Sequence, residues 1–196
     1  YILFVTDMGR VYRLKGYQVY EGSRTSRGVN IVNLLPLQDG EQVTSMLRVP
    51  GGDNAEGYLT MVTKAGVIKR TALANYRTAT GVRAIRLKEG DSVVGVGVVR
   101  EGATVLTVTE EGKGRRTDVR DYRTQYRGGL GIRNYGSKGH VAGLKVIDDT
   151  DDIILISLEG IIIRMHAEDI NVQSRYGSGV RVMRLAEGDR VVTVAR

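Results

Sequence analysis

One template recurs four times along this chain. In each copy a short apolar run, a polar turn that ends in glycine and a second run follow one another. The turn glycines are Gly9, Gly66, Gly112 and Gly160, spaced by 57, 46 and 48 residues. Two β-rich runs around a short turn that contains glycine predict a β-hairpin, because glycine tolerates the positive φ that such turns need. Self-similarity at this period predicts a repeat architecture.

A second template follows each hairpin. It opens on a glycine, continues as an alternating strand, turns at a motif such as Glu89-Gly90-Asp91 and ends in a Val-rich strand. The opening glycines are Gly28, Gly81, Gly131 and Gly179. Each unit of about 48 residues therefore supplies four strands. The units span approximately residues 1–50, 57–100, 103–147 and 152–196 of a single domain that covers 1–196.

Helical spacing is nearly absent, and its one candidate, Thr71 to Tyr76, is too short for an independent helix. The sequence therefore predicts an all-β fold, a propeller-like disc or a solenoid built from four-stranded units. A sandwich of independent sheets is less favoured, because a sandwich does not require a repeat in sequence.

Composition narrows the class of partner. The chain has 29 Lys and Arg against 22 Asp and Glu, a net charge of +7, which indicates nucleic acid or an anionic membrane surface. The absence of cysteine excludes disulfides and thiolate chemistry. No apolar run approaches the ~18 residues that span a bilayer, and no signal peptide is visible, so we expect a cytoplasmic location without membrane partners.

Overlaying the four copies exposes two recurrent arginine positions. One stands four residues after each turn glycine, in a strand: Arg13, Arg70, Arg116 and Arg164. The other stands four residues before each second-template glycine, in a loop: Arg24, Arg77, Arg127 and Arg175. Recurrence of arginine, where packing would reuse Val, Ile or Leu, indicates a shared role.

The two sets differ in what they could do. The strand set could equally pair with acidic groups or loop carbonyls at blade edges. The loop set is favoured for DNA contact, since it lies in Gly-, Ser- and Thr-rich segments whose backbone amides also reach phosphates. Further basic residues crowd nearby, and we include Arg27, Lys69, Arg115, Arg123 and Arg133 among the candidates for DNA contact. Phosphate contacts of this kind predict weak sequence preference.

No catalytic constellation is present in the sequence. His140 and His166 are isolated, without metal-ligand spacing around them. The acidic cluster from Asp148 to Asp152 is typical of a solvated turn, with divalent-cation binding as the alternative. Tyr76 and Tyr122 occupy matching positions, which favours packing over base stacking. We therefore expect no catalytic residue, no metal and no cofactor in this chain.

The motifs together resemble one known family. They are Gly9-Arg10-Val11-Tyr12-Arg13, Arg24-Thr25-Ser26-Arg27-Gly28, the segment Ile31 to Leu37, Gly66 to Thr71, Gly81 to Leu87, Glu111 to Thr117 and Gly160 to Arg164. The whole chain is similar to the C-terminal domain of DNA gyrase A and, more loosely, to its paralogue in topoisomerase IV. The segment Ile31 to Leu37 favours gyrase.

The resemblance implies a β-pinwheel, a disc of four-stranded blades that exchange strands between neighbours. It implies that duplex DNA is bound without sequence preference, bent and wrapped around a basic perimeter, in support of ATP-dependent negative supercoiling. It also implies a heterotetrameric holoenzyme made with the rest of gyrase A and with gyrase B, in which the ATP, Mg²⁺ and catalytic sites lie outside this chain. A protein-interaction propeller remains the competing interpretation, and it would carry an apolar patch instead of a basic rim.

Two features depart from the family pattern. The signature heptapeptide Gln-Arg-Arg-Gly-Gly-Lys-Gly has its nearest match, a degenerate one, in the third repeat, at Gln125, Arg127, Gly128, Gly129 and Gly131. The family also has five or six blades, whereas four repeats are visible, and the spacing of the paired glycines shortens at Tyr76–Arg77. We therefore predict an incomplete or open ring, or a chain break near Tyr76.

Overall fold

The structure, a computed structural model, describes residues 1–78, 80–134 and 139–196. Within these ranges the regular elements are β-strands and short 3₁₀ turns, and no α-helix is present. The strands are β1 (Ile2–Thr6), β2 (Arg10–Leu14), β3 (Val43–Arg48), β4 (Tyr58–Thr63), β5 (Val67–Ala72), β6 (Thr80–Arg83), β7 (Val93–Val99), β8 (Thr104–Thr109), β9 (Lys113–Asp118), β10 (Ile132–Arg133), β11 (Val141–Ile147), β12 (Asp152–Ser157), β13 (Ile162–His166), β14 (Val180–Arg181) and β15 (Val191–Ala195). The 3₁₀ turns are Gly16–Gln18, Ile31–Asn33, Gly52–Asn54, Leu73–Tyr76, Val119–Asp121 and Ala167–Asp169.

The strands form four antiparallel sheets, which we number as blades 1 to 4 in chain order. Their strand orders are β3-β1-β2-β6, β7-β4-β5-β10, β11-β8-β9-β14 and β15-β12-β13. The predicted all-β fold of four-stranded units is confirmed. In the described residues, however, blade 4 has three strands and lacks the outermost one.

The outermost strand of each complete blade comes from the following repeat. β6 pairs with β2, β10 with β5 and β14 with β9, so each repeat completes the sheet of the one before it. The hairpins formed at the turn glycines as predicted, and Gly9 and Gly66 have φ of +73° and +87°. Strand exchange therefore ties neighbouring blades together by backbone hydrogen bonds.

The inner strands converge on one axial depression. Side chains of β3, β7, β11 and β15, including Ser45 and Thr193, line it together. Small residues permit this approach, because a Cβ on Gly95 would lie 2.6 Å from the Leu144 nitrogen and one on Gly97 would lie 2.6 Å from the Val146 side chain. The exchanged strands β6, β10 and β14 consequently form the periphery.

The apolar core lies between the blades. Blades 1 and 2 meet at a cluster that includes Leu3, Val11 and Met61, and equivalent clusters lie between blades 2 and 3 and between blades 3 and 4. The far face of blade 1 has a smaller cluster, in which Phe4 and Tyr12 are covered by the chain's own Leu35. Tyr76 and Tyr122 are fully buried, as their matching positions predicted.

The shortened spacing falls at a 3₁₀ turn. This turn, Leu73–Tyr76, is capped by Arg77 in helical backbone, and the alternative of a break near Tyr76 stays a prediction. Ala79, two residues beyond Arg77, lies outside the described residues. The alternative of an open ring fits the missing outer strand of blade 4.

Candidate nucleic-acid interface

The loop arginines lie at the periphery, between each repeat's 3₁₀ turn and its exchanged segment. Arg24, Arg77 and Arg127 are exposed and Arg175 is half-buried. Each repeat's opening glycine follows four residues later, so the arginine sits at the same point of each loop. The structure therefore places the loop set where a long anion could reach it.

Neighbouring loops contact one another through these arginines. Arg127 Nη1 donates to the Asn75 carbonyl of the preceding repeat at 3.2 Å. Arg175 Nη1 donates to the Arg133 carbonyl at 3.4 Å, and its guanidinium lies 4.4 Å from the ring centroid of Tyr176. The loops of repeats 2, 3 and 4 thus form one continuous basic band along the outer edge.

In repeats 3 and 4 a glutamine holds the loop that carries the arginine. Gln125 Oε1 accepts from the Gly131 amide at 3.2 Å, and Gln173 Oε1 accepts from the Gly179 amide at 3.1 Å. The degenerate signature motif thus closes its loop by a side-chain hydrogen bond, and residues 173–179 repeat its Gln-x-Arg-x-Gly-x-Gly spacing. The hydrogen bond from the Gly131 amide to Gln125 fixes the backbone from which Arg127 projects.

The strand set does not share this exposure, and for Arg70 and Arg116 the prediction of DNA contact is corrected. They are 7% and 4% exposed. Arg70 Nη1 donates to the Val119 carbonyl at 3.0 Å, and Arg116 Nη1 donates to the Ala167 carbonyl at 3.2 Å. Each acceptor opens the 3₁₀ turn of the next repeat, so these arginines join blades, which is the pairing alternative raised from the sequence.

Arg13 has a similar role at the first boundary. It donates to the Arg77 carbonyl, forms an ion pair with Asp53 at 2.5 Å and lies 3.9 Å from the ring centroid of Tyr1. Its side chain is 9% exposed. Arg13 therefore holds the second repeat against the first and is removed from the candidates for phosphate contact.

Lys69 and Arg115 are corrected for the same reason. They precede Arg70 and Arg116 and are almost fully buried. Lys69 Nζ donates a hydrogen bond to Thr71 Oγ1 at 2.5 Å, and burial lowers the pKa of this amine from 10.5 to about 8. Arg115 donates to the Gly177 carbonyl at 2.9 Å and to the Asn134 carbonyl at 2.6 Å. Both lie beneath the exchanged loops and support them from inside.

Arg164 differs from its three counterparts. Its side chain is 67% exposed and pairs with Asp152 of its own hairpin at 3.3 Å. No further blade follows it in the described residues, so no 3₁₀ turn is present to accept its hydrogen bonds. Among the other candidates, Arg27, Arg123 and Arg133 are exposed.

One recurrent basic position, on the outer strands, was not recognised as recurrent from the sequence. Arg83, Arg133 and Arg181 each stand two residues after an opening glycine, on β6, β10 and β14, and all three are exposed. Arg133 entered the candidates as a nearby basic residue, without its register. An overlay of the second template, like that of the first, would have identified Arg83 and Arg181.

Two carboxylates of the acidic cluster from Asp148 to Asp152 form ion pairs with arginines. Asp149 pairs with Arg116 at 2.7 Å, and Asp151 pairs with Arg196 at 3.3 Å. Across the described residues, no group of His, Cys, Asp or Glu side chains is arranged to hold a metal ion. The same residues contain no helix that is long and apolar enough to span a membrane.

Comparison with known proteins places this chain among DNA topoisomerase sequences. A family model described as the DNA gyrase C-terminal domain, beta-propeller, matches residues 1–50, 57–100, 103–148 and 151–196. DNA gyrase A of Staphylococcus aureus strain NCTC 8325 is 34% identical over 253 residues, which cover 100% of this chain and 28% of the relative. The corresponding protein of strain MRSA252 is likewise 34% identical and is covered to 29%. The chain thus spans under a third of the length of these relatives.

The alignment with this relative is longer than the chain itself. An alignment of 253 residues against a chain of 196 leaves at least 57 positions without a counterpart here. That length is close to the spacing between the first two turn glycines. The unmatched length is therefore about that of one repeat.

Solved structures agree on the fold. The DNA gyrase A C-terminal domain matches with a TM-score of 0.63 at 19% identity, covering 99% of this chain and 81% of the other. The E. coli ParC C-terminal domain matches with a TM-score of 0.70 at 20% identity, covering 99% and 80%. At these identities the likeness concerns the arrangement of blades alone.

Proposed function

This chain belongs to the DNA gyrase C-terminal domain family, and from that premise we propose that it binds duplex DNA along its outer edge, bends it and wraps it. The proposal extends to a cytoplasmic gyrase in which this domain works with the remainder of gyrase A and with gyrase B. There the wrapped segment supports ATP-dependent negative supercoiling, while ATP and Mg²⁺ act on parts of the enzyme outside this chain.

The observation that carries the proposal is the continuous basic band. Arg77, Arg127 and Arg175 recur in register on successive repeats, at the periphery, and their loops touch. The outer-strand residues Arg83 and Arg181 extend the same band. Guanidinium groups clamp phosphate oxygens in bidentate fashion, so a curved row of them favours a curved polyanion.

Curvature of the band supports bending as well as binding. Elastic estimates put the bending of a 20–30 base-pair segment by 40–90° at roughly 1–6 kcal/mol. Each neutralised phosphate releases counterions, so a band of several arginines offsets such a cost. Because phosphates carry no base identity, the proposed binding has little sequence preference.

The decisive experiment compares two triple variants of equal charge. The first replaces Arg77, Arg127 and Arg175 by Gln. The second replaces three exposed arginines that flank the inner strands, namely Arg48, Arg100 and Arg190. Both remove three positive charges, so any difference in DNA affinity reports position and not net charge.

We expect the band variant to bind a short duplex more weakly and with a flatter dependence of log affinity on log salt. The slope should change by about 0.9 for each lost phosphate contact, whereas the control should keep nearly the wild-type slope. Ligation of nicked circles in the presence of each protein then reads wrapping as a shift in linking number. Equal losses in the two variants would refute the band, and binding that does not respond to salt would refute phosphate contact altogether.

A further inference from the structure

The turns of the four blades lie on one face of the disc. The strands β2, β5 and β9 each begin directly after a turn glycine and end before the 3₁₀ turn that leads to a loop arginine, so turns and arginine loops lie at opposite ends of the strands. The second-template turns lie beside the hairpin turns, since the Ala65 amide donates to Asp91 at 3.0 Å and the Glu159 amide donates to Asp189 at 3.1 Å. We call this surface the turn face, and it consists of residues 7–9, 38–41, 64–66, 88–91, 110–112, 158–160 and 186–189.

Backbone hydrogen bonds join the turns of neighbouring blades. An amide at the start of an inner strand donates to a turn carbonyl of the blade before it. The pairs are Val93 to Asp7 at 3.3 Å, Val141 to Lys64 at 2.9 Å and Val191 to Glu110 at 2.8 Å. The turn face is therefore one continuous surface across the described blades.

The turn face is strongly acidic. Its residues include ten carboxylates and two lysines, a net charge of −8 in a chain whose total net charge is +7. Five of the carboxylates are exposed, and none of the ion pairs within the described residues engages them. They are Asp39, Glu89, Glu111, Glu159 and Glu187. At the other end of the strands, by contrast, Asp53 is paired with Arg13 and Asp149 with Arg116.

The basic band borders the turn face along the outer edge of the disc. Arg83, Arg133 and Arg181 lie opposite the residues that directly follow the turn glycines, so they stand beside the turn face. The loop arginines stand beyond the far ends of strands of five or six residues. Such strands are about 17–20 Å long, more than two Debye lengths at physiological ionic strength. The attraction of the loop arginines and the repulsion of the turn carboxylates therefore each act on a duplex that lies near them.

We propose that the turn face repels duplex DNA and confines it to the rim, towards the edge that carries the loop arginines. This inference rests on the proposed function, since it names what limits the path of the wrapped duplex. A duplex that moves onto the turn face leaves the arginines and brings its phosphates against unpaired carboxylates. Surface potentials of several kT disfavour that position by about tenfold or more.

Cross-linking from single cysteines tests the path, because the chain has no cysteine of its own. Tyr126→Cys places a photo-activated cross-linker beside Arg127, and Ala65→Cys places the same reagent on the turn face. Both positions are exposed, so both changes should leave the fold intact. With a duplex bound to saturation, we expect the cross-linking yield from Ala65→Cys to be at least roughly tenfold lower than that from Tyr126→Cys.

Neutralising the turn face should reduce this difference to roughly threefold or less. The variant combines Ala65→Cys with Glu89→Gln, Glu111→Gln, Glu159→Gln and Glu187→Gln. The matched control combines Ala65→Cys with the same change at four exposed glutamates outside the turn face, namely Glu21, Glu56, Glu101 and Glu168. Both sets remove four negative charges, but only the first should raise the cross-linking yield from Ala65→Cys.

Equal yields from the two cysteines in the otherwise unchanged chain would overturn the inference. A yield from Ala65→Cys that neutralisation leaves unchanged, or that the control set raises as much, would overturn it too. All these results would leave the proposed function standing, because the duplex is still bound. The proposed function fails separately, and the inference with it, if the unchanged chain shows no salt-dependent binding of the same duplex in a fluorescence-anisotropy titration.

Discussion

Arg70 and Arg164 occupy the same register position in repeats 2 and 4, and within the described residues Arg70 has a following blade to contact whereas Arg164 does not. Arg70 is buried, donates to the Val119 carbonyl at 3.0 Å and to Thr124 Oγ1 at 2.8 and 3.1 Å, and lies 4.1 Å from the Tyr58 ring centroid. Arg164 bonds within its own hairpin and is mostly exposed. Replacing each by Met therefore measures what the contact between blades contributes.

The expected magnitude follows from the groups that lose their partner. Arg70→Met leaves the buried Val119 carbonyl without its donor, which costs about 1–3 kcal/mol. Loss of the guanidinium over Tyr58 adds roughly 0.5–1 kcal/mol, while the exposed Thr124 hydroxyl regains water. We expect a total of about 3 kcal/mol for Arg70→Met and less than about 0.5 kcal/mol for Arg164→Met.

Urea titration followed by circular dichroism measures both variants against the wild-type chain. For a chain of this length each kcal/mol corresponds to about 2–4 °C in Tm, so Arg70→Met should melt roughly 6–12 °C lower. Hydrogen exchange of the amides at residues 119–124 should speed up in Arg70→Met alone. Equal destabilisation of the two variants, or a loss below about 1 kcal/mol for Arg70→Met, would refute the role assigned to this arginine.

Three further outcomes are expected. Lys69→Met should stabilise the chain by up to roughly 3 kcal/mol below pH 8, because burial holds the Lys69 pKa at about 8 against 10.5 when unfolded. Wild-type stability, measured relative to Lys69→Met, should rise as pH rises from about 8 towards 10.5, and a constant difference across that range would contradict the assignment. Glu41 is buried, and although burial alone raises its pKa, hydrogen bonds from Gln38, Thr6 and Tyr12 bring the net pKa below its ordinary value. The stability that ionised Glu41 contributes should be lost as pH falls through that lowered pKa. Glu41→Gln should therefore lower stability at neutral pH and make unfolding, followed by circular dichroism, less dependent on acid pH. An unchanged dependence of unfolding on acid pH would count against this role of Glu41. Gln125→Ala removes the acceptor of the Gly131 amide and should weaken duplex binding in a fluorescence-anisotropy titration with little loss of Tm. Gln38→Ala, a control away from the basic band, should leave duplex binding unchanged.

The repeat in the sequence determined a large part of this structure. Turn glycines at fixed spacing required hairpins, since few other residues adopt the positive φ found at Gly9 and Gly66. Alternating apolar residues required strands, and the overlay of four copies located both arginine positions. All of this is local information, carried by residues close together in the chain.

Tertiary structure decided whether each recurrent arginine is buried or exposed. Arg70 and Arg164 have the same neighbours in sequence register, yet one is buried and the other exposed, because in the part of the chain that the structure describes a 3₁₀ turn from a following repeat reaches Arg70 and none reaches Arg164. The sequence pattern favoured the loop set for DNA contact and left the strand set open between phosphate contact and pairing at blade edges. The fold separated them into an inner group that joins blades and an outer group that faces solvent.

The same dependence on neighbours governs the exchanged segments. Gly28 and Gly81 begin the same template, but among the described residues the segment after Gly81 pairs with a preceding hairpin and the segment after Gly28 does not. Whether a strand pairs depends on which edge lies within reach, which repeats of equal sequence cannot specify for themselves. Sequence thus determined the repeating unit, and the three-dimensional order of the units determined which groups are buried and which face solvent.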